Sequence, residues 1–323
     1  MSLNGQKQDR RSPTRAPDTV LITGGAGFIG TNLAHRLLTE NRRVRIFDNL
    51  SRAGVERNLD WLVRKHDPGL LEIRIEDIRD GAAVEKAVDG AGEVFHLAAQ
   101  VAVTTSIEKP LEDFDINVRG TLNLLEAVRR QPRPPAMIYT STNKVYGNLE
   151  NISLQRNGTR YEPSDPGILK NGVSEMQALQ FWSPYGCSKG TADQYILDYA
   201  RVYGLQAVVF RMSCIYGPHQ FGTEDQGWVA HFLIRGGTGA PITIFGDGLQ
   251  VRDILYVDDL VEALLTAGQN ANGWATSATF PTPPWRSWWT GSWKAPALRA
   301  RISKPRDSWP MARTRSSGIA WKV

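Results

Sequence analysis

The sequence predicts an α/β protein built around a doubly wound parallel sheet. Two observations predict this fold: short runs rich in β-branched residues recur along the chain, and segments with helical periodicity separate them. Because neighbouring parallel strands are joined by crossover helices, such an alternation favours a parallel sheet with helices on both faces.

The predicted strands follow one another at residues 19–23, 43–48, 71–76, 93–97, 137–141 and 207–211. Apolar residues at helical spacing predict helices between them, for example at Leu122, Leu125 and Val128 and over residues 193–203. A further helix is predicted over residues 259–267. These elements account for most of the chain up to about residue 268.

The composition excludes several classes of protein. The chain has 323 residues, of which 41% are hydrophobic, enough for one large domain or two unequal ones. No stretch approaches the roughly 18 consecutive apolar residues that a membrane span needs. Two cysteines, Cys187 and Cys214, cannot build a disulfide framework or a cysteine-rich zinc site. We therefore expect a cytoplasmic protein without a metal centre.

The net charge of +5 is unevenly distributed. Residues 269–323 contain nine lysines and arginines against one acid, Asp307, so the preceding part of the chain carries a net charge of −3. A mildly acidic body gives no electrostatic reason to expect nucleic-acid binding.

A glycine-rich turn follows the first predicted strand. Gly24 allows a tight turn, Gly27 lets the main chain approach a pyrophosphate, and Gly30 lets the next helix pack closely on the strand. Asp48 ends the second predicted strand, where a carboxylate can accept hydrogen bonds from both adenosine ribose hydroxyls. A tight turn without a ligand would explain the glycines alone. The strand, the helix and Asp48 together predict a Rossmann dinucleotide site.

Asp48 favours NAD over NADP because a carboxylate repels a 2′-phosphate, although the nearby Arg52 keeps NADP open. Asp77 and Ile78 end the third predicted strand and are candidates for adenine contacts. An acidic strand end that caps the next helix is an equally good interpretation of Asp77.

Tyr185 and Lys189 stand four residues apart, so on a helix they share one face. An ammonium beside a phenol lowers the pKa of the phenol, which predicts that Tyr185 can act as a general base. Thr142 ends the fifth strand, and reactive groups gather at the carboxyl ends of parallel strands. The alternative for Tyr185 and Lys189 is that they merely lie on a solvent-exposed helix face. The alternative for Thr142 is that its hydroxyl has only a structural role.

These residues resemble those of the extended short-chain dehydrogenase/reductase superfamily, the NAD-dependent nucleotide-sugar epimerases and dehydratases. The resemblance covers residues 19–268. It rests on the glycine turn, Asp48, residues 96–100, Asn117, residues 141–142 and 145–147, the Tyr185 and Lys189 pair, and residues 215–218, 251–253 and 257–259.

By this resemblance Thr142, Tyr185 and Lys189 form the catalytic triad, and the cofactor is NAD. The resemblance also implies a homodimer that pairs through the helices containing Asn117 and Tyr185. The residues expected around the cofactor are Gly24, Gly27, Phe28, Ile29, Gly30, Asp48, Asn49, Asp77, Ile78, Leu97, Ala98, Ala99, Gln100, Asn117, Tyr185 and Lys189.

The expected substrate-binding residues are Thr142, Asn143, Gln226 and Arg252. The resemblance implies that Arg252 meets the substrate diphosphate, and a surface salt bridge to a neighbouring acid is the alternative. The insertion 148–184 and the loop 220–228 are the expected pocket walls, although Trp228 could equally belong to the core.

Dehydratases of the superfamily follow the catalytic threonine with an acid and a base, but here these positions are Asn143 and Lys144. Residues 141–147, the insertion 148–184, residues 185–195 and the loop 220–228 are similar to CDP-paratose 2-epimerases. The resemblance therefore implies that the chain converts CDP-paratose to CDP-tyvelose through a transient 2-ketone. The alternative is a relative that acts at C4 of a UDP-sugar.

The sequence changes character after residue 268. Seven of the ten tryptophans and six prolines fall in residues 269–323, and we see no helical or strand period there. We interpret this segment as the product of a reading-frame shift near Gly273, because out-of-frame translation of GC-rich DNA yields surplus Trp, Arg, Pro and Ser. A truncated NAD-binding product without activity is therefore the alternative to a working epimerase.

These observations divide the chain into four parts. They are a disordered leader (1–17), a Rossmann NAD-binding domain (18–212, with the insertion 148–184), a small and incomplete C-terminal substrate-binding lobe (213–268) and an aberrant tail (269–323).

Overall fold

The computed structural model describes residues 19–244, 246–270, 276–278 and 302–303. The predicted leader and most of the predicted tail lie outside the described residues. The predicted division into domains stays a prediction.

The strands of the described residues number thirteen. In chain order they are β1 (Thr19–Thr23), β2 (Val44–Phe47), β3 (Leu71–Arg74), β4 (Ala91–His96), β5 (Ala136–Thr142), β6 (Leu154–Asn157), β7 (Arg160–Pro163), β8 (Ala207–Met212), β9 (Cys214–Tyr216), β10 (Ile242–Thr243), β11 (Ile254–Tyr256), β12 (Thr276–Ala278) and β13 (Ile302–Ser303).

The same residues form ten α-helices. They are α1 (Phe28–Thr39), α2 (Val55–Lys65), α3 (Gly81–Val88), α4 (Val103–Glu108), α5 (Pro110–Phe114), α6 (Gly120–Arg129), α7 (Pro166–Asn171), α8 (Ser183–Tyr203), α9 (Trp228–Gly237) and α10 (Val257–Asn270). A π-helical turn, Asp115–Arg119, joins α5 to α6, and a 3₁₀ turn, Asn143–Tyr146, follows β5.

A parallel sheet in the order β3-β2-β1-β4-β5-β8 forms the centre of the fold, as the sequence predicts. All six predicted strands are confirmed, with bounds within two residues of those predicted. The predicted helices over residues 193–203 and 259–267 lie within α8 and α10.

The edge of this sheet beyond β8 was not predicted from the sequence. Residues Thr276–Ala278 form a seventh parallel strand, in register with Val208 to Phe210 of β8, although we found no strand period beyond residue 268. Three residues are too few to show an alternating pattern. The exposed edge of β8 offers unpaired backbone N–H and C=O groups, and these can order a short strand whose side chains carry no signal.

Side chains alternate along the strands and so fill two cores, one on each face of the sheet. Val20 and Ile22 of β1 pack into the core that α1, α2 and α10 cover, whereas Leu21 packs into the core under α3, α6 and α8. All three side chains are fully buried. Because both faces are covered, the open places are the ends of the strands, and ligands of such sheets bind at the carboxyl ends.

Smaller elements lie beyond those carboxyl ends. The insertion forms the antiparallel hairpin of β6 and β7, and β9 pairs with β11. The hairpin contacts the segment before β11, because Tyr161 donates from its backbone N–H to Leu249 (3.0 Å) and from its hydroxyl to Asp247 (2.7 Å). Within the described part of the chain, no helix combines the length and apolar character needed to cross a membrane.

Candidate active site

The glycine turn between β1 and α1 has the geometry that the sequence predicts. Gly24 has a φ of +71°, and a Cβ there would lie 2.6 Å from the backbone nitrogen of Ala98. A Cβ at Gly30 would collide with the carbonyl oxygen of Gly24, so the helix can approach the strand only without one. Gly27 precedes α1, whose first turn has neither a capping side chain nor an acid. Phe28 and Ile29 occupy that turn and pack against the core.

Open amides at a helix N-terminus are suited to an anion such as a pyrophosphate, because their hydrogen-bonding groups point outward and the helix dipole is positive there. A Cβ at Gly27 would meet a single neighbouring oxygen, that of Gly24, at 3.1 Å, so this side of the turn is otherwise open. The turn therefore fits the phosphates of a dinucleotide.

Asp48 lies beside this turn, directly after β2. Its carboxylate accepts hydrogen bonds from the backbone N–H groups of Ala26 (3.0 Å) and Leu50 (2.9 Å). Burial raises the pKa of Asp48, and these backbone donors counteract the rise. The carboxylate is thus fixed next to the glycine turn, where the sequence analysis expects a ribose.

Asp77, after β3, does not cap the next helix. The cap of α3 is Asp80, which accepts hydrogen bonds from two first-turn amides. Asp77 instead accepts hydrogen bonds from the side chains of Asn49 (2.8 Å) and Arg79 (2.7 Å), and Arg79 holds the pKa of Asp77 far below its usual value. The capping interpretation is therefore wrong, whereas the adenine contact stays a prediction. The neighbouring Ile78 is buried.

The loop after β4, residues 97–100, is held from two sides. Thr23 accepts hydrogen bonds from the backbone N–H groups of Leu97 (3.0 Å, to its carbonyl) and Ala98 (3.3 Å, to its hydroxyl). Gln100 donates from its backbone N–H to the side-chain oxygen of Asn117 at 2.9 Å. Ala99 is half-buried between them. This anchoring keeps the loop next to Gly24.

Asn117 lies in the π-helical turn, a feature that often marks functional positions. Its side-chain amide donates to the carbonyl of Gln100 (3.1 Å), to Asp113 (3.2 Å) and to the hydroxyl of Ser188 (3.0 Å). With its oxygen bound as well, Asn117 braces the loop against α8. The cofactor contact expected of Asn117 stays a prediction.

Thr142, Tyr185 and Lys189 come together where β5 ends and α8 begins. Thr142 is buried and its hydroxyl is hydrogen-bonded to Tyr185. Lys189 is 3% exposed, and its amino group donates to the carbonyl of Thr140 at 2.7 Å. The three side chains that the sequence assigns to one site are therefore adjacent.

The predicted fall in the pKa of Tyr185 is not observed. Burial raises the pKa of Tyr185 to about 12, a hydrogen bond from Thr142 lowers it, and the charge of Asp113 raises it. Burial also lowers the pKa of Lys189 to about 7, although the carboxylates of Asp193 and Asp113 raise it. Helical spacing alone could not show that Lys189 is buried and Tyr185 half-buried, and desolvation outweighs the attraction that the spacing suggests.

Two of the predicted substrate residues, Asn143 and Gln226, lie in turns. Asn143 is exposed directly after Thr142. Gln226 is half-buried in a tight turn with Thr223, and its side-chain oxygen is buried without a partner among the described residues. Trp228 is half-buried and packs on Phe232 of the same helix, and its indole N–H is buried without a described partner.

Lys144 lies two residues after Thr142 and donates from its backbone N–H to the Thr142 hydroxyl at 3.2 Å. Burial lowers the pKa of Lys144, the positive charge of Arg252 lowers it further, and Cys214 acts in the opposite direction. Mutual repulsion between two cations is relieved by an anionic ligand.

Sequence analysis missed Asp113 and Ser188, which link Asn117 to the predicted triad. Asp113 stands four residues before Asn117, a spacing that places both side chains on one helix face and could have indicated the contact. Ser188 directly precedes Lys189 and donates to the carbonyl of Tyr185 at 3.2 Å.

Comparison with known proteins identifies the family of this site. Residues 20–278 match the model of the NAD dependent epimerase/dehydratase family. The chain belongs to this family. It is 49% identical over 260 residues to a CDP-paratose 2-epimerase of Salmonella typhi, a match that covers 78% of this chain and 75% of the relative.

Solved structures agree with this membership. A UDP-glucose 4-epimerase from Thermotoga maritima, solved with UDP-glucose, is 33% identical with a TM-score of 0.63 and covers 77% of this chain and 72% of its own. A dTDP-glucose 4,6-dehydratase from Streptomyces venezuelae, solved with NAD, is 27% identical with a TM-score of 0.67, covering 81% and 76%. The chain is therefore an NAD-dependent enzyme of nucleotide-sugar metabolism, and its cofactor is NAD.

Proposed function

We propose that this enzyme epimerises CDP-paratose to CDP-tyvelose at C2. The observation that carries the proposal is the 49% identity to a CDP-paratose 2-epimerase over three quarters of both chains. The residues after Thr142 support it, because Asn143 and Lys144 cannot supply the carboxylates with which dehydratases remove water.

In the proposed mechanism, Tyr185 takes the proton of the sugar 2-hydroxyl and later returns it to the same oxygen. Thr142, which is hydrogen-bonded to Tyr185, holds that hydroxyl in line. NAD, when bound, supplies a hydride acceptor that also returns the hydride, and a positive charge that favours the phenolate. Burial raises the pKa of Tyr185 to about 12, so the positive charge of bound NAD would assist formation of the phenolate.

Lys144 and Arg252 would hold the diphosphate of the substrate while the sugar rotates in the site. A 2-ketone must present its second face before reduction, so the site has to bind the nucleotide firmly and the sugar loosely. A pair of cations supports the first requirement, because Lys144 and Arg252 would both attract the diphosphate. Gln226, whose oxygen has no described partner, is the candidate for a further polar contact.

We further propose a cytoplasmic homodimer. The free thiols of Cys187 and Cys214 agree with a reducing compartment. The helices that contain Asn117 and Tyr185, or adjoin them, expose large apolar side chains, namely Leu111 (80%), Phe114 (48%) and Val202 (58%). Exposed apolar side chains on these helices are the kind of surface that a protein interface covers.

The test is to incubate the purified chain with CDP-paratose, without added NAD, and to follow the anomeric and H2 signals by NMR. We expect CDP-tyvelose to appear. Turnover of UDP-galactose instead would favour the alternative at C4, which the likeness to a UDP-glucose 4-epimerase supports. If neither sugar reacts although NAD binds, the chain is an inactive product.

A matched pair of variants tests the role of Tyr185 in the same assay. Tyr185→Phe should lower turnover by about 10²- to 10⁴-fold, because it removes the proton-transferring hydroxyl. Tyr195→Phe, on the exposed side of the same helix, should leave turnover unchanged. Equal activities of the two variants would contradict the assignment.

A further inference from the structure

The amino group of Lys189 contacts two neighbouring residues of β5. Lys189 is 3% exposed, and its amino group donates to the carbonyl of Thr140 at 2.7 Å. The same nitrogen lies over the ring of Tyr139, 4.2 Å from the ring centre. A cation within about 6 Å of the centre of a tyrosine ring is attracted by the electrons of the ring face, most strongly where water is excluded. The strand therefore offers the ammonium one carbonyl and one aromatic face.

Tyr139 is a fixed platform for this contact. It lies within β5, opposite His96 of β4 and Val209 of β8. Its side chain is fully buried, in the core under α8 that also contains Ala192. Because a close-packed core leaves no free space, the ring cannot turn away without opening that core. The place of the Lys189 ammonium is thus set by the central sheet.

The hydroxyl of Tyr139 is not the group that binds Lys189. Its oxygen is buried and has no hydrogen-bond partner among the described residues. A buried hydroxyl without a partner costs free energy. The contact is therefore made by the ring face, and a phenylalanine would make the same contact without this cost.

Burial and nearby charges also affect the protonation of Lys189. Burial lowers the pKa of Lys189 to about 7, and the charges of Asp193 and Asp113 raise it. Asp193 is itself paired with Arg211, through two hydrogen bonds of 2.9 Å. Both acids are unaltered when Tyr139 is replaced, so a difference between Tyr139 variants reports the ring.

We propose that Tyr139 is a positioning residue whose ring holds the charged amino group of Lys189 by a cation–π contact. Tyr139 is fully buried, so it acts through Lys189 and does not touch the substrate. A lysine ammonium has three N–H donors, and the Thr140 carbonyl accepts from one of them. The ring thus fixes the ammonium and leaves donors for a ligand. Its importance for turnover rests on the proposed function, whereas the contact itself does not.

The test compares Tyr139→Leu, which removes the ring, with Tyr139→Phe, which keeps the ring and removes only the hydroxyl. Phe95→Leu is the matched control, because it removes a fully buried ring from the core on the other face of the sheet. Protein labelled with ¹³C at lysine Cε is titrated by NMR, and the Lys189 signal is assigned by its loss in Lys189→Met.

We expect the Lys189 midpoint to move to lower pH by roughly 0.5 to 1 unit in Tyr139→Leu, because a cation–π contact favours the charged form. The midpoint should stay in place in Tyr139→Phe and in Phe95→Leu. Water that enters the vacated space would raise the midpoint, so an unchanged or higher midpoint in Tyr139→Leu would overturn the proposal. An equal fall in all three variants would also overturn it, because it would indicate a general loosening of the core.

Fluorinated phenylalanines at position 139 test the contact if Tyr139→Leu does not fold. Fluorine withdraws electrons from the ring face and changes the size of the ring little, so it weakens the attraction for a cation. The proposal requires the Lys189 midpoint to fall stepwise from phenylalanine to its monofluoro, difluoro and trifluoro analogues. Equal midpoints across the series would refute it.

Turnover provides a second readout. Because Tyr139 does not touch the substrate, Tyr139→Leu should lower kcat for CDP-paratose and leave KM near the wild-type value, and Tyr139→Phe should recover most of this loss. Equal losses of kcat in the two variants would contradict the proposal. If the wild type does not turn over the sugar, the proposed function fails, whereas the NMR titration still decides the role of Tyr139.

Discussion

The imidazole of His96 links strand β1 to helix α6 through hydrogen bonds. Its two ring nitrogens are hydrogen-bonded to the hydroxyls of Thr23 (2.7 Å) and Thr121 (2.9 Å), and the side chain is 1% exposed. Burial and the charge of Lys189 lower the pKa of His96 to about 3, so the ring is neutral in the folded protein. The two hydroxyls therefore bind a neutral ring, and protonation would bury an unpaired charge.

This burial predicts a loss of stability in acid. In the unfolded chain His96 takes up a proton near pH 6.5, whereas in the folded protein it does so only near pH 3. The unfolded state binds more protons between these values, so stability falls as the pH drops through this window. For this group alone we expect a loss of roughly 2 kcal/mol between pH 6.5 and pH 5.

Chemical denaturation of the wild type and of His96→Gln measures the effect. Glutamine cannot titrate, so the stability of the variant should depend less on pH even if it is lower at pH 7. His231→Gln, in α9, is the control and should keep the wild-type dependence. The same pH dependence in His96→Gln and the wild type would show that His96 is not the group responsible.

Residue by residue, the sequence predicts the functional role of side chains that belong to motifs. It misses side chains whose role arises only from tertiary packing. Thr142, Tyr185 and Lys189 are adjacent as expected. Asp113 looks like an ordinary acid near the start of a short helix, and only the packing of α8 against α5 withdraws it from water. For the same reason the direction of the pKa shift of Tyr185 could not be predicted, because desolvation is a property of the whole fold.

Among the elements, the central strands were predicted closely because most of them are short apolar runs with buried side chains on both faces, such as β1 and β8. The hairpin of β6 and β7 was not predicted. Its residues are polar and half-exposed, and it is held by contacts such as that between Tyr161 and Leu249, which are distant in sequence. Because such an element is stabilised by contacts distant in sequence, its own sequence shows no alternation of apolar and polar residues.

The exposed apolar side chains near the start of α5 and at the end of α8 predict the behaviour of the assembly. If they form the dimer interface, Leu111→Glu should convert the dimer to a monomer, because it places a charge in a contact that excludes water. Light scattering after size-exclusion chromatography measures the mass.

Leu169→Glu is the matched control for this experiment. Leu169 is 50% exposed and lies on α7, which is not one of the helices of the proposed interface. The control should remain dimeric. A wild-type monomer, or a dimer that survives Leu111→Glu, would contradict the proposed arrangement.

At the scale of the whole molecule, the open question is how the chain continues after α10, where we predict an incomplete C-terminal lobe. The family match ends at residue 278, and the described lobe exposes Leu233 (62%), Ile234 (48%) and Val251 (49%). The hypothesis of a frame shift near Gly273 places the change within a few residues of the end of this match. Apolar surface left open in this way favours association.

We expect one of the other two reading frames of the gene to encode a strand, a glycine-rich segment and helices downstream of codon 273. A chain translated in that frame should bind less of the apolar dye ANS than this one, because the added lobe would cover the exposed side chains. Sequencing the gene and comparing ANS fluorescence check both statements. The hypothesis fails if neither frame restores such a segment.

The central claim is transient oxidation at C2, and the fate of the hydrogen on that carbon tests it most directly. CDP-paratose deuterated at C2 is incubated with the enzyme in ordinary water, and the product is analysed by NMR and mass spectrometry. The account predicts CDP-tyvelose that retains its deuterium at C2, because the hydride leaves and returns within one site. Product with hydrogen from water at C2 would contradict it, since that outcome requires removal of a proton from carbon.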